Sequence, residues 1–250
     1  MLATSAPGSS TWLSATAYDS NTTIDNTSYR LAVRLRLGFA PFDIMPNNCH
    51  SCRIYSPVNL DLVLKNEWHY LICMEGHGGR EVTLRHDQLV QLLAHYLKLA
   101  GAAVVLEPKH VFSETNKRPD LQVVLGSKVY LIDITIVNPT ALSNLRHSQK
   151  VLGQASAAEK AKIRKYGELS NQQNCNFVPF VIEVYGGIGK MAQEFLNEVS
   201  VFAHDHMTVC SRFDVVNGLK YAIACSVQLG NALIALGGYA NAVRVFGPTS

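Results

Sequence analysis

Two carboxylates and a run of cations carry the chemistry open to this sequence. Asp120 closes Arg118-Pro119-Asp120, just before one apolar stretch, and Asp133 interrupts the next; twelve residues separate the two acids. The turn signal Gly126-Ser127 lies between the stretches, so they read as a β-hairpin. Pairing brings the start of the first strand beside the middle of the second. Both carboxylates then come within reach of one hard cation. Mg²⁺, or Mn²⁺ in its place, takes oxygen ligands and keeps waters and substrate phosphate in its shell. Such a metal activates water and offsets the charge developing on a phosphodiester.

Asp133 is the more telling acid. Strand alternation puts it with Thr135 on one face and Ile132, Ile134 and Ile136 on the other. A charge in the middle of so apolar a strand is costly unless it is paired or metal-bound. The structural alternative is a buried Asp satisfied by an arginine or by backbone amides. A metal-dependent nuclease commonly carries a lysine two residues after its second acid, and here that position is Thr135. A cation must come from elsewhere. Lys162, Lys165 and Tyr166 share a face of the following predicted helix through i, i+3 and i+4 spacing. A lysine from that face can hold the attacking water and offset phosphate charge. Taken alone, Lys160, Lys162, Arg164 and Lys165 read as a solvated basic face. Glu107, in Leu106-Glu107-Pro108, is a candidate third metal ligand or an exposed turn acid.

A second constellation precedes the first. Cys49-x2-Cys52 and His69-x3-Cys73 have the composition of a tetrahedral Zn²⁺ site, with His50 and His77 as reserve ligands. Soft ligands in that number make a closed, structural site, not a catalytic one. The bland alternative is loose thiols and a chance histidine.

These residues need elements to hold them. The pattern predicts helix over Leu84–Leu99, then strands over Ala102–Leu106, Leu121–Leu125 and Val129–Val137. A cationic helix over Ala155–Leu169 and a strand over Phe177–Tyr185 follow, with helices after them. That order predicts an α/β fold with a mixed sheet flanked by helices. Five segments are expected: a flexible lead-in over 1–28, a short basic helical segment over 29–46, a zinc knuckle over 47–82, a core over 83–198 and a C-terminal helical segment over 199–250. The apolar run Leu219–Val243 is interrupted by Lys220, Gln228, Asn231 and Asn241, and reads as a buried helix, not a membrane span.

The 250 residues, 48% apolar and 16% charged, exclude a disordered chain. A net charge of +3 is compatible with nucleic acid without arguing for it. The opening residues have no basic and apolar signal pattern, so a reducing, intracellular setting is expected for the six cysteines.

The two constellations, in this order, resemble the restriction-like endonuclease region of site-specific non-LTR retrotransposon proteins, with its preceding CCHC zinc knuckle. The matching pieces are Cys49-x2-Cys52, His69 to Cys73, Gly76-His77-Gly78-Gly79-Arg80, Arg85-His86-Asp87, Glu107-Pro108, Arg118-Pro119-Asp120, Ile132-Asp133-Ile134 and Lys162-Ile163-Arg164-Lys165-Tyr166. They cover roughly Cys49 to Ser200. The resemblance implies a PD-(D/E)XK restriction-endonuclease-like core preceded by a small knuckle. It implies Asp120 and Asp133 as metal ligands, Lys162 as the displaced lysine and Tyr166 as its companion, with Lys165 beside them. It assigns Arg85, His86 and Asp87 to DNA contact or site support, and Arg118 and Arg164 are expected at the nucleic acid. It also implies a nuclear setting and a double-stranded DNA target. The family nicks DNA so that the new 3′ hydroxyl primes reverse transcription, with element RNA and a reverse-transcriptase region as partners. The chain departs from the pattern in the spacing between His69 and Cys73, where the family usually has four residues. It also has no Tyr-x-Asp-Asp-type polymerase motif.

Three readings follow. The first is an Mg²⁺-dependent endonuclease, as a retrotransposon piece or a stand-alone homing-type enzyme. The second is a non-cleaving nucleic-acid-binding module. The third is a structural α/β protein with a buried Asp133.

Overall fold

The computed structural model describes residues 2–17, 19–43, 71, 76–109, 111, 118–141, 144, 146–206 and 212–246. The predicted zinc ligands Cys49, Cys52, His69 and Cys73 lie outside the described residues.

The first long helix, α1, spans Asn26–Leu37. Asp25 starts it by accepting the Thr27 and Ser28 N–H groups, and Gly38, at φ 77, ends it in the left-handed conformation that glycine adopts without strain. Residues expected to be a flexible lead-in are ordered instead. They form short 3₁₀ turns over Leu2–Ser5 and Thr11–Ser14, and Trp12 is buried. The physical reason is Arg36: its guanidinium donates to Thr4 O, Ser9 O and Ser10 Oγ, tying the segment to α1. Arg34 is similarly committed, to Ala40 O and Asp43. Two arginines of the basic helix therefore serve the chain's own packing.

Helix α2 runs Gly76–Leu99, eight residues longer at its start than the apolar periodicity predicts, and crosses the expected boundary between knuckle and core. It leads through Gly101 (φ 89) into β1, Ala103–Leu106. Strands β2, Leu121–Leu125, and β3, Lys128–Val137, form the predicted hairpin. Helix α3, Gly153–Gln172, carries the chain to β4, Asn176–Glu183. Helices α4, Lys190–His206, and α5, Arg212–Phe246, follow. The sheet order is β1-β2-β3-β4, antiparallel except for the parallel β3–β4 pair. The fold is thus α/β, with a mixed four-stranded sheet flanked by helices. Pro179 is tolerated because β4 is an edge strand, where a missing N–H need not break the ladder.

The two sheet faces differ. Leu121, Val123, Ile132, Ile134, Phe180 and Ile182 face the main core, against Leu89, Leu93 and Leu97 of α2 and Phe195 and Leu196 of α4. Truncating one of these side chains, such as Leu93→Ala, costs about 2–5 kcal/mol. Leu219, Ile223 and Val227 of α5 belong to the same cluster, so the core does not stop at residue 198. Val215–Asn241 is long and apolar enough to cross a membrane by composition alone, and 67% of its most apolar window is buried inside this fold. The opposite sheet face carries Leu131, packed with Tyr166 of α3 and Phe177. Asp133 lies on that face.

Candidate active site

The hairpin register brings the acids together. Leu121 pairs with Ile132, so the next residues outward on the two strands are Asp120 and Asp133. At Asp120 the ladder changes character. Its N–H still donates to Ile132 O at 2.9 Å, but its carbonyl accepts from the N–H of Glu107, just past β1. Its carboxylate takes over the pairing with β3: Oδ2 accepts the Ile134 N–H at 2.6 Å. A side chain thus stands in for backbone where the strand leaves the sheet.

Asp133 is only 5% exposed, as its apolar neighbours predict. Its charge is balanced from α3: Lys162 Nζ lies 2.6 Å from Asp133 Oδ2. The Thr135 hydroxyl donates to the same oxygen at 3.3 Å. Two buried acids fix where α3 stands. Glu183, at the end of β4, accepts the Ala155 N–H in the first turn of α3. Glu159, on α3, accepts the Met191 N–H at the start of α4. Burial pushes both carboxyls above their ordinary range.

His86, on α2, reaches the seam from the other side. Its Nε2 lies 3.2 Å from Ile134 O and 3.5 Å from Asp120 Oδ2, and its Nδ1 lies 3.1 Å from Asp87 Oδ1. Both ring nitrogens face acceptors. Asp120, with Asp87 behind it, accordingly raises the imidazole to about 9, against an opposing cost from burial. Asp87, the third residue of the matching Arg85-His86-Asp87 piece, thus meets the ring of its neighbour.

On Asp120 and on Asp133 every partner among the described residues falls on Oδ2, and Oδ1 takes none. Carboxylate oxygens suit a hard divalent cation, whose remaining positions go to water and phosphate. Among the described residues no three or more His, Cys, Asp or Glu side chains converge as a ready-made metal cage. Of the two expectations for Glu107, third ligand or exposed turn acid, its side chain takes the second. Its backbone turns through φ 43 after β1, and its carboxylate pairs with Arg118 at 2.9 Å on the open surface. That pairing also occupies Arg118, expected at nucleic acid.

The other predicted residues divide. Arg85 is 4% exposed and donates to Asn231 Oδ1 of α5 at 2.6 Å. The expected DNA contact is therefore corrected: a guanidinium enclosed between two helices has no open side for phosphate. Gly230 makes the room, since a Cβ there would stand 2.5 Å from Arg85 Cγ. Tyr166 is not at the acids but in the small core beneath them, its ring 5.1 Å from Phe177. Lys165 lies over that ring, 4.7 Å from its centroid, and the Tyr166 hydroxyl holds its ammonium above the ordinary range. Arg164 and Lys160 are exposed on α3. Alternation could have signalled Thr135 as a partner of Asp133. Nothing in the sequence marks Glu159 or Glu183 as buried.

A scan against protein-family models finds no match, and a search of curated proteins finds no similar sequence.

Proposed function

We propose that this chain is a metal-dependent DNA endonuclease with a PD-(D/E)XK-type core, hydrolysing phosphodiester bonds at Asp120, Asp133 and Lys162. The observation that carries the reading is the meeting of Asp133 with Lys162, which comes from a helix 29 residues further on. A buried acid needs some counter-charge, but an ammonium on one of two acids that neighbour each other across a hairpin is also what phosphodiester hydrolysis would use. The order of the sequence motifs, like that of non-LTR retrotransposon endonucleases, supports the same reading.

Asp120 and Asp133 would hold the cation through their carboxylates. Bound there, Mg²⁺ or Mn²⁺ supplies Lewis acidity toward phosphate and a more acidic water. Lys162 has three N–H groups, and Asp133 uses one. The others orient the attacking water and neutralise a non-bridging phosphate oxygen. The water oxygen bonds to phosphorus as the bond to the 3′ oxygen breaks. The water loses a proton to solvent and the 3′ oxygen gains one, leaving a 5′ phosphate and a 3′ hydroxyl. In the retrotransposon setting that hydroxyl primes reverse transcription, in the nucleus, with element RNA and a polymerase region as partners. A stand-alone homing-type nuclease would use the same chemistry. A structural Zn²⁺ on Cys49, Cys52, His69 and Cys73 belongs to the proposal, and metal analysis of the C49S/C52S variant checks it.

Nicking of supercoiled plasmid with Mg²⁺ or Mn²⁺ tests the activity. Wild-type cleavage abolished by EDTA, by Asp120→Ala and by Lys162→Ala is the expected result. Salt-sensitive DNA binding with no cleavage under either metal would replace it by a non-cleaving nucleic-acid-binding module. The exposed Lys160 and Arg164 favour that second reading.

A further inference from the structure

We infer that His86 is a positioning residue for Asp120, fixing one carboxylate oxygen so that the other is presented outward. The inference rests on the metal site of the nuclease reading and deepens it. Three contacts define the arrangement. Nε2 faces Ile134 O and Asp120 Oδ2 together, while Asp87 Oδ1 holds Nδ1. Ile134 is the residue whose own N–H donates to that same Asp120 oxygen. Asp120 Oδ2 is therefore gripped from two directions, by a β3 amide and by an α2 imidazole. A carboxylate with one oxygen so committed can rotate little about its terminal torsion, and its second oxygen keeps one direction. Because Nε2 faces two acceptors, it carries a hydrogen and has no lone pair for a metal. His86 acts through Asp120, not beside it.

The anchoring of α2 supports the same role. Arg85, the preceding residue, donates to Asn231 of α5, and the Asn231 side-chain amide donates to Val184 O just beyond β4. Gln228 donates to the same carbonyl. The helix turn that bears His86 is thereby tied to the sheet through α5. Ligand-holding groups of this kind typically change metal affinity about 10- to 100-fold when removed.

Mn²⁺ is the probe, titrated calorimetrically into the full chain, with thermal melting recorded for each variant. His86→Ala should weaken the Mn²⁺ affinity that Asp120→Ala abolishes by about 10- to 100-fold. His86→Gln, whose amide N–H stands near the place of Nε2, should restore most of it. His86→Asn, whose amide stands near Nδ1, should not. Asp87→Ala should fall between wild type and His86→Ala. A purely structural histidine would lower the melting temperature of both amide variants alike and leave affinity untouched. Affinity within twofold of wild type in His86→Ala overturns the assignment. So does an imidazole-nitrogen coupling in the Mn²⁺ spin-resonance spectrum that His86→Ala removes, because His86 would then be a ligand. If His86→Ala does not fold, the Gln and Asn variants decide, and equal affinities overturn it. A wild type that binds no Mn²⁺ at this site overturns it as well. A wild type that binds Mn²⁺ with the expected pattern and never nicks DNA leaves His86 as assigned and removes the nuclease reading.

Discussion

Asp120 and Asp133 are neighbours across one hairpin, yet the protein treats them differently. Asp133 is enclosed and balanced by a full positive charge from α3, with a hydroxyl in support. Asp120 is held by a β3 backbone amide and an α2 imidazole, and its side chain is 23% exposed. The first acid depends on a charge and the second on geometry. Removing the support should therefore cost stability at Asp133 and orientation at Asp120.

The largest effect is expected at Lys162. Lys162→Ala leaves Asp133 buried without its counter-charge, a loss of about 3 kcal/mol. Nicking should fall about 100- to 1,000-fold, as for removal of one charge-stabilising donor. Urea unfolding and plasmid nicking check both. The double variant Asp133→Asn with Lys162→Met sharpens the contrast: stability should return to within about 1 kcal/mol of wild type while nicking stays lost. Recovered nicking would reduce the pair to a structural ion pair.

Asp120→Asn should behave oppositely. An amide oxygen still accepts the Ile134 N–H, so the stability loss should be confined to the charge facing His86 and stay below that of Lys162→Ala. Nicking should nevertheless drop about 100-fold, because a charged metal oxygen is gone. A stability loss as large as that of Lys162→Ala would dissolve the distinction between the two acids.

The difference between the acids also marks what the sequence could tell. Period-two alternation located Asp133 on a buried face, and the hairpin register followed from Gly126-Ser127, so both acids were legible. The lysine was legible as a helix face but not as a residue, because i, i+3 and i+4 spacing treats Lys162, Lys165 and Tyr166 alike. Their fates depend on which way α3 rolls against the sheet, and Leu131 and Phe177 decide that by burying Tyr166. The resemblance left Arg85 between DNA contact and site support; its burial depends on Gly230, 145 residues away, making room for it. Glu107 was legible as a third ligand or an exposed turn acid, and the choice between them rests on Arg118, which pairs with it at the surface.

A pH titration separates the two supports further. The imidazole of His86 is raised from 6.5 to about 9, with Asp120 as the leading cause. A raised basic group stabilises the fold fully below its unfolded value and loses that contribution as pH climbs through its folded value. With EDTA present, the stability difference between wild type and His86→Ala should be largest below pH 6.5 and shrink steadily toward pH 9. The difference between wild type and Lys162→Ala, measured over the same window, serves as the reference. Denaturant midpoints at four or five pH values decide it, and a flat His86 difference would mean the ring is not charged against Asp120.

The smallest effect is expected at the surface pair. Glu107 and Arg118 are 62% and 47% exposed, so solvent screens them, and Glu107→Ala should change stability by less than about 1 kcal/mol. The sharper readout is Mn²⁺ affinity. With the Glu107 carboxylate turned to Arg118, removing it should leave the affinity within a factor of about two, where Asp120→Ala abolishes it. A loss about tenfold or greater would mean that cation binding pulls Glu107 from Arg118 to the acids. The site would then be two-sided at rest and three-sided when loaded, with Arg118 released toward the phosphate backbone.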